Sequence, residues 1–282
     1  NDVSLLTFVP FTFVVLSGLA PDTRRALTIP VVCMQTIAAN LGSMLTPIGN
    51  PQNLYLYGKS GMRMAEFLLL MLPYTVVSLL LLVGWAVAVC RKQVSSCIGA
   101  LPEQPNTTAD RKIILLDAVL FAVCLLAVVR VLPYGVAFAA VLVCTLCADR
   151  STLRNVDYSL LLTFVAFFVF IGNLGRIPAF SGWLQAILAG REVLVAVLAS
   201  QVTSNVPAAL LLSGFTDETA ALIIGTNLGG LGTLIASMAS LISYRQIARE
   251  LPEEKDLYFK LFTLSNLIFL VILLAEWRIL GR

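Results

Sequence analysis

Two passages of the sequence carry amides, hydroxyls and helix breakers in the same order. The first, "ANLGSMLTPIGNPQNLYLYGK", sets Asn40, Gly42, Ser43, Thr46, Pro47, Gly49, Asn50 and Pro51 close together between apolar runs. The second, "TNLGGLGTLIASMASLISYR", follows at an offset of 187, Asn40 to Asn227, and brings Gly229, Gly230, Gly232 and Thr233. Laid over each other without gaps, 40–57 and 227–244 pair Asn40 with Asn227, Leu41 with Leu228, Gly42 with Gly229, Thr46 with Thr233, Ile48 with Ile235, Leu54 with Leu241 and Tyr57 with Tyr244. Glycine and proline interrupt helical hydrogen bonding. The carbonyls, N–H groups and half-helix ends they free can ligate ions or anions. Close helix packing through small residues accounts for the glycines, but it leaves Asn40, Thr46, Asn50, Asn227 and Thr233 without a reason.

The surrounding chain is made for lipid. Its residues are 59% hydrophobic and 12% charged, with a mean hydropathy of +0.91, against roughly 45–50% and about 25% in a soluble domain. This predicts an all-α polytopic membrane protein, with room in 282 residues for roughly eight to ten spans. Apolar runs fall at 3–19, 26–57, 64–90, 113–131, 134–148, 158–175, 193–215, 219–245 and 258–277. "APDTRR" reads as a turn after the first run, and "FSGWLQAILAG" as a short amphipathic piece. In 193–215, Gln201, Thr203, Ser204, Asn205 and Pro207 leave about ten apolar residues on each side, which rise about 15 Å, half a hydrocarbon core. A re-entrant hairpin answers that arithmetic better than a Pro-kinked span.

With Arg24, Arg25, Arg91, Lys92, Arg111, Lys112, Arg150, Arg154, Arg245, Arg249, Lys255 and Lys260 on the cytoplasmic side and only Lys59, Arg63, Arg130, Arg176, Arg191, Arg278 and Arg282 outside it, the positive-inside bias is met and the two glycine-rich passages run antiparallel. The expected fold is therefore an inverted-repeat transporter with re-entrant hairpins and two discontinuous transmembrane helices. Residues 1–92 would be the remainder of the first repeat, with a second hairpin arm, a broken helix and one span. Residues 93–112 would form a cytoplasmic linker. Residues 113–282 would be the second repeat: three spans, the hairpin 193–215, the broken helix 219–245 and a last span. Beginning at Asn1, with no signal-peptide pattern, the chain reads as a fragment.

The absence of histidine removes His-based acid–base chemistry, His metal ligation and a Ser-His-Asp triad. Cys144-x-x-Cys147 has metal-like spacing but no second pair, so the cysteines read as small packing residues. A net charge of +3 leaves no nucleic-acid footprint. No catalytic residue, metal site or cofactor is expected. The polar midplane groups form the candidate site instead. Its substrate-binding set is Asn1, Asn40, Gly42, Ser43, Thr46, Ser204, Asn205, Asn227, Gly229, Gly230 and Thr233, with Asp2, Asn1, Asn50, Thr203 and Asn205 placed to serve a coupling sodium ion or proton. Asp2 stands out because an intramembrane carboxylate is costly and marks an ion or proton path.

"NDVSLLTFVPF", "ANLGSMLTPIGNPQNL", "SNVPAALLLSGF" and "GTNLGGLGTLIASMASLISY" resemble the ion transporter superfamily: citrate-transporter-like permeases, divalent-anion/sodium symporters and arsenite efflux permeases. The likeness covers nearly the whole chain. It implies a multi-pass permease of the bacterial cytoplasmic (inner) membrane, with a scaffold domain and an elevator-like transport domain, and a homodimer. It also implies three spans and a leading hairpin arm before Asn1. The implied partners are a small inorganic or organic anion and the lipid bilayer. In the sodium-coupled dicarboxylate branch both hairpin tips read Ser-Asn-Thr. Here Asn1 and Asn205 match the Asn, while Asp2 and Val206 occupy the Thr positions. Valine cannot donate a hydrogen bond, and aspartate repels a carboxylate. Asn-Asp at the first tip and Asn-x-Pro at the second are more similar to the arsenite-efflux branch. The competing readings are a channel and a membrane aspartyl enzyme using Asp2 and Asp117, which lacks the Gly-x-Gly-Asp context and leaves the repeat unexplained.

Overall fold

The computed structural model describes residues 2–91, 111–148, 150, 153 and 158–281; the expected linker therefore lies, but for Arg111 and Lys112, outside the described residues. Every regular element among the described residues is helical: α1 (Asp2–Ser17), α2 (Pro21–Gly42), α3 (Pro51–Ser60), α4 (Met64–Arg91), α5 (Arg111–Val128), α6 (Tyr134–Ala148), α7 (Tyr158–Leu174), α8 (Pro178–Leu188), α9 (Glu192–Thr203), α10 (Asn205–Leu212), α11 (Thr219–Leu228), α12 (Met238–Glu250) and α13 (Lys255–Leu280). The protein is an all-α polytopic membrane protein, as its composition predicts. Pro21–Leu45, Met64–Arg91 and Pro252–Leu280 are each long and apolar enough to cross a bilayer alone.

One expectation is corrected. "APDTRR" is not a turn: Pro21 opens α2 and Asp22 sits in its first turn. Proline presets the helical φ at that position and has no N–H to leave unpaired, and a carboxylate suits the positive end of the helix. The chain reverses before it, between Ser17 and Ala20.

Two compact units divide the chain, one of residues 1–102 and 170–282, the other of 103–169. In the smaller, α5 packs against α6, and Leu115, Phe121, Val131, Phe138 and Leu162 are exposed, as suits helices surrounded by lipid. In the larger, α1 lies on α2 and α12, α2 on α4 and α13, and α11 on α3, α9 and α10. Leu5, Val9, Ile29, Val32, Cys33, Ala239, Ile247, Tyr258 and Phe262 form its buried apolar cluster. Because the alternative to burial is lipid, such contacts act through van der Waals packing more than through exclusion of water. Polar glue supplements them: Thr36 Oγ1 is 2.8 Å from Ser243 Oγ and 3.2 Å from the Tyr258 hydroxyl, which ties α2 to α12 and α13.

Candidate functional site

The first break follows from its residues. After Gly42 the chain makes two short 3-10 turns, Ser43–Leu45 and Pro47–Gly49. Thr46 (φ −121°, ψ 149°) and Asn50 (φ −140°, ψ 148°) are fully extended, and Pro51 opens α3. The loop folds so tightly that a Cβ on Gly49 would stand 1.9 Å from the Ser43 carbonyl oxygen. In a bilayer each unpaired backbone group costs several kcal/mol, and here the sequence supplies partners nearby. Asn53 Nδ2, from the first turn of α3, reaches the Met44 and Thr46 carbonyls at 3.4 Å each. Ser43 Oγ lies 2.8 Å from the Asn40 carbonyl and 2.9 Å from Asn50 Oδ1.

The second break separates α11 from α12. Gly232 has φ 108°, a conformation side chains disfavour, and its partner comes from elsewhere in the fold. Gln201, on α9, donates Nε2 to the Gly229 and Leu231 carbonyls at 3.0 and 2.9 Å and accepts the Thr233 N–H at 2.9 Å. Thr233 Oγ1 donates to the Gln201 carbonyl at 3.1 Å. Gly229 is forced by proximity, since a Cβ there would stand 2.7 Å from Ser200 Oγ.

The polar interruption of 193–215 lies between α9 and α10, where Ser204 turns with φ 75° and ψ 154°. That is strained backbone for a residue with a side chain. The Asn205 N–H donates to the Ala236 carbonyl at 3.0 Å, and Ser204 Oγ donates to the same oxygen at 3.4 Å. The tip is thus seated on the second break.

The two breaks also meet. Asn50 Nδ2 donates to Asn227 Oδ1 at 3.3 Å, and Asn227 Nδ2 to Asn53 Oδ1 at 2.6 Å. Ser237 Oγ donates to Asn40 Oδ1 at 2.8 Å, and Asn40 Nδ2 to Ser240 Oγ at 3.5 Å. Asn40, Ser43, Asn50 and Asn227 therefore share one network. Gly229, Gly230, Thr233, Ser204 and Asn205 gather at the tip. Gly42, Thr203 and Thr233 are exposed, Ser43, Thr46 and Ser204 half-buried, and Asn40, Asn50, Asn205, Asn227, Gly229 and Gly230 buried. Asn1 and the side chain of Asp2 lie outside the described residues. Downstream of them, Ser4, Leu5 and Phe8 of α1 line an open cleft of about 350 Å³ with Gln35, Ala38 and Ala39 of α2.

Asn53, Gln201, Ser237 and Ser240 do not stand among the sequence candidates. Ser237 and Ser240 fall at the offset of 187 from Asn50 and Asn53. A polar-for-polar comparison of the repeat, rather than a search for identities, marks them. Gln201 carries no such sign, because an amide on a helix does not disclose which loop it supports.

Residues 1–221 match the citrate transporter family. The chain belongs to that family. It is 33% identical over 257 residues to inner membrane protein YbiR of Escherichia coli (strain K12), an alignment that takes in 87% of this chain and 64% of the relative. It is 31% identical over 254 residues to the uncharacterized transporter MJ0456 of Methanocaldococcus jannaschii, covering 87% of this chain and 65% of that protein. The chain thus spans less than two thirds of the length of these curated relatives. Both names agree with the expectation of a membrane protein, and YbiR's with an inner membrane location. Among the described residues, buried polar groups are concentrated in the region of the two breaks.

Proposed function

We propose that this chain forms the cargo-holding part of a secondary active transporter for a small anion or oxyanion. The observation that carries the reading is the meeting of two broken helices, each opened at glycine, in one buried polar network. Irregular backbone at membrane depth is tolerated where protein or a water-filled cavity satisfies it, and that is where transporters hold cargo. Hydroxyls and N–H groups suit an anion. Gly42, Ser43, Thr46, Thr203, Ser204 and Thr233 are accessible enough to meet it. Gln52 adds a donor: it is 1% exposed, and its Nε2 has no acceptor among the described residues.

Residues 1–92 and 113–282 act in this proposal as two inverted repeats joined by a cytoplasmic linker. Access alternates as the unit carrying the breaks moves across the bilayer, driven by sodium or protons through Asp2 and the Thr203–Asn205 tip, in a homodimer. A second reading, arsenite or metalloid efflux, is favoured by Asn205-Val206-Pro207, where valine removes the donor that a carboxylate would need. Neither reading calls for catalytic chemistry or a cofactor.

A ligand-stabilisation screen of the purified protein against arsenite, phosphate, sulfate, citrate and succinate, with and without sodium, tests the proposal. A rise in melting temperature for one anion, strengthened by sodium or by low pH, is expected. Asp2→Asn should remove that dependence. Unchanged melting in all conditions, or anion flux that an uncoupler leaves intact, sinks the transporter reading.

A further inference from the structure

We infer that Asn40 and Asn227 are positioning residues, which lock the two broken helices to each other through one bonding pattern used twice. The inference deepens the transport reading and rests on it for its functional part. Ser237 and Ser240 stand ten and thirteen positions beyond Asn227; Asn50 and Asn53 stand ten and thirteen beyond Asn40. Asn40 Oδ1 accepts from Ser237 and its Nδ2 donates to Ser240. Asn227 Oδ1 accepts from Asn50 and its Nδ2 donates to Asn53. Each asparagine thus crosses to the same two places in the other copy, with the same atom accepting and the same atom donating. That is the reciprocity of an isologous contact, here within one chain. Two unrelated helices have no reason to reproduce both spacings and both polarities.

The locks leave little for a ligand to take. The second hydrogen of Asn227 Nδ2 goes to the Ile223 carbonyl at 2.7 Å. Asn40 is 4% exposed, Asn50 and Asn227 3%, Ser237 1%, and Asn53 and Ser240 are fully covered. Ser43 Oγ, between the Asn40 carbonyl and Asn50 Oδ1, wires one lock to the other. The copies differ at the matching place: the second has Gly230, and the Asn205 amide of the tip stands 3.0 Å from where a Cβ would be. Cargo meets the hydroxyls and backbone around the locks, the locks hold the two halves of its site at a fixed distance, and both breaks travel as one body.

Melting temperatures of the purified protein without added anion decide the matter. Asn227→Ala and Asn53→Ala should each lower it by about 2–4 °C or more, and the double variant by less than the sum of the two, since the bond between them is lost in either single variant. Asn40→Ala with Ser237→Ala should behave alike, whereas Asn53→Ala with Ser237→Ala, taken from different locks, should add. Asn50→Asp should destabilise, because a carboxylate has no hydrogen for Asn227 Oδ1, and Asn50→Ser should recover most of what Asn50→Ala loses. The anion-dependent rise in melting temperature, with arsenite, phosphate, sulfate or citrate, should shrink equally in Asn53→Ala and Ser240→Ala and return in Asn50→Ser. Additivity within a lock overturns the inference, as does an Asn50→Asp protein as stable as the native one, the behaviour of an oxygen ligand. If no anion shifts the native protein, the transport reading fails alone, because the coupling measured without anion still decides the locks.

Discussion

The two breaks solve one problem with different materials. The first is built from its own helix: Pro47 and Pro51 fix φ and lack an N–H, Gly49 lets the Ser43 carbonyl close in, and Asn53 reaches back from the next half-helix. The second has no proline between Gly229 and Ser237. It relies on glycine and on Gln201, a side chain from α9. A proline-built break carries its support with it, whereas a glycine-built one is ordered only while its neighbour is seated. Displacing the α9–α10 pair would strip the second break of the Gln201 bonds, whereas the Asn53 bonds across the first come from α3 itself.

Alanine at Gly49 is the sharpest way to break the first. Its Cβ would meet backbone at 1.9 Å, which no rotamer change relieves, so a loss on the order of 4 kcal/mol is expected, read as failure to fold or a collapse of the melting temperature. Gly42, a candidate site residue in the same passage, is the control. A Cβ there meets nothing within 4 Å and its φ is −67°, so Gly42→Ala should be neutral or gain about 0.5–1 kcal/mol. Equal damage at both positions would show that the tight turn is not what Gly49 serves.

The second break should yield to a change outside itself. Gln201→Leu leaves the Gly229 and Leu231 carbonyls and the Thr233 N–H without their partner, at a cost of about 2–3 kcal/mol. Hydrogen exchange should quicken in 229–237 and stay unchanged in 43–50. Equal quickening in both segments would mean that the first break is not self-supporting. Gly232→Ala should cost less, about 1–3 kcal/mol. Its Cβ meets the flexible end of Gln201 at 2.3 Å rather than backbone, and the remaining penalty comes from φ.

The breaks are legible in the sequence because glycine and proline act through local backbone geometry: Gly42 and Pro51 bracket the first almost to the residue, and Gly229 opens the second. The interruption between α9 and α10 is legible for another reason, that ten apolar residues cannot cross a bilayer. The start of α2 is misread because "APDTRR" is polar enough for a turn, while helix-start chemistry at Pro21 and Asp22 overrides that polarity. The network of Asn53, Gln201, Ser237 and Ser240 is not legible at all from local pattern. The bonds that tie them to the other break or to its support span 28 or more positions, and a helix-borne amide or hydroxyl looks the same whether it faces another helix, a freed carbonyl or cargo.

A small expected effect on stability sharpens the comparison most. Gln52 lies in the first turn of α3, beside the lock residues Asn50 and Asn53, with a buried Nε2 that no described atom accepts. Its counterpart at the offset of 187 is Ala239, so only the first break holds this spare donor. A buried donor without an acceptor costs about 1–3 kcal/mol, and such a group persists where function needs it. Gln52→Leu should therefore stabilise the protein in anion-free buffer by up to about 1 kcal/mol after the imperfect fit of leucine, read as a higher melting temperature, and at the same time lower the anion-dependent rise. A gain in stability with the anion response intact would make Gln52 a packing residue and leave the two breaks equivalent toward cargo. A loss of both would mean that Nε2 has a partner in the resting protein. Only the opposed result, more stable and less responsive, assigns the first break a donor that the second lacks.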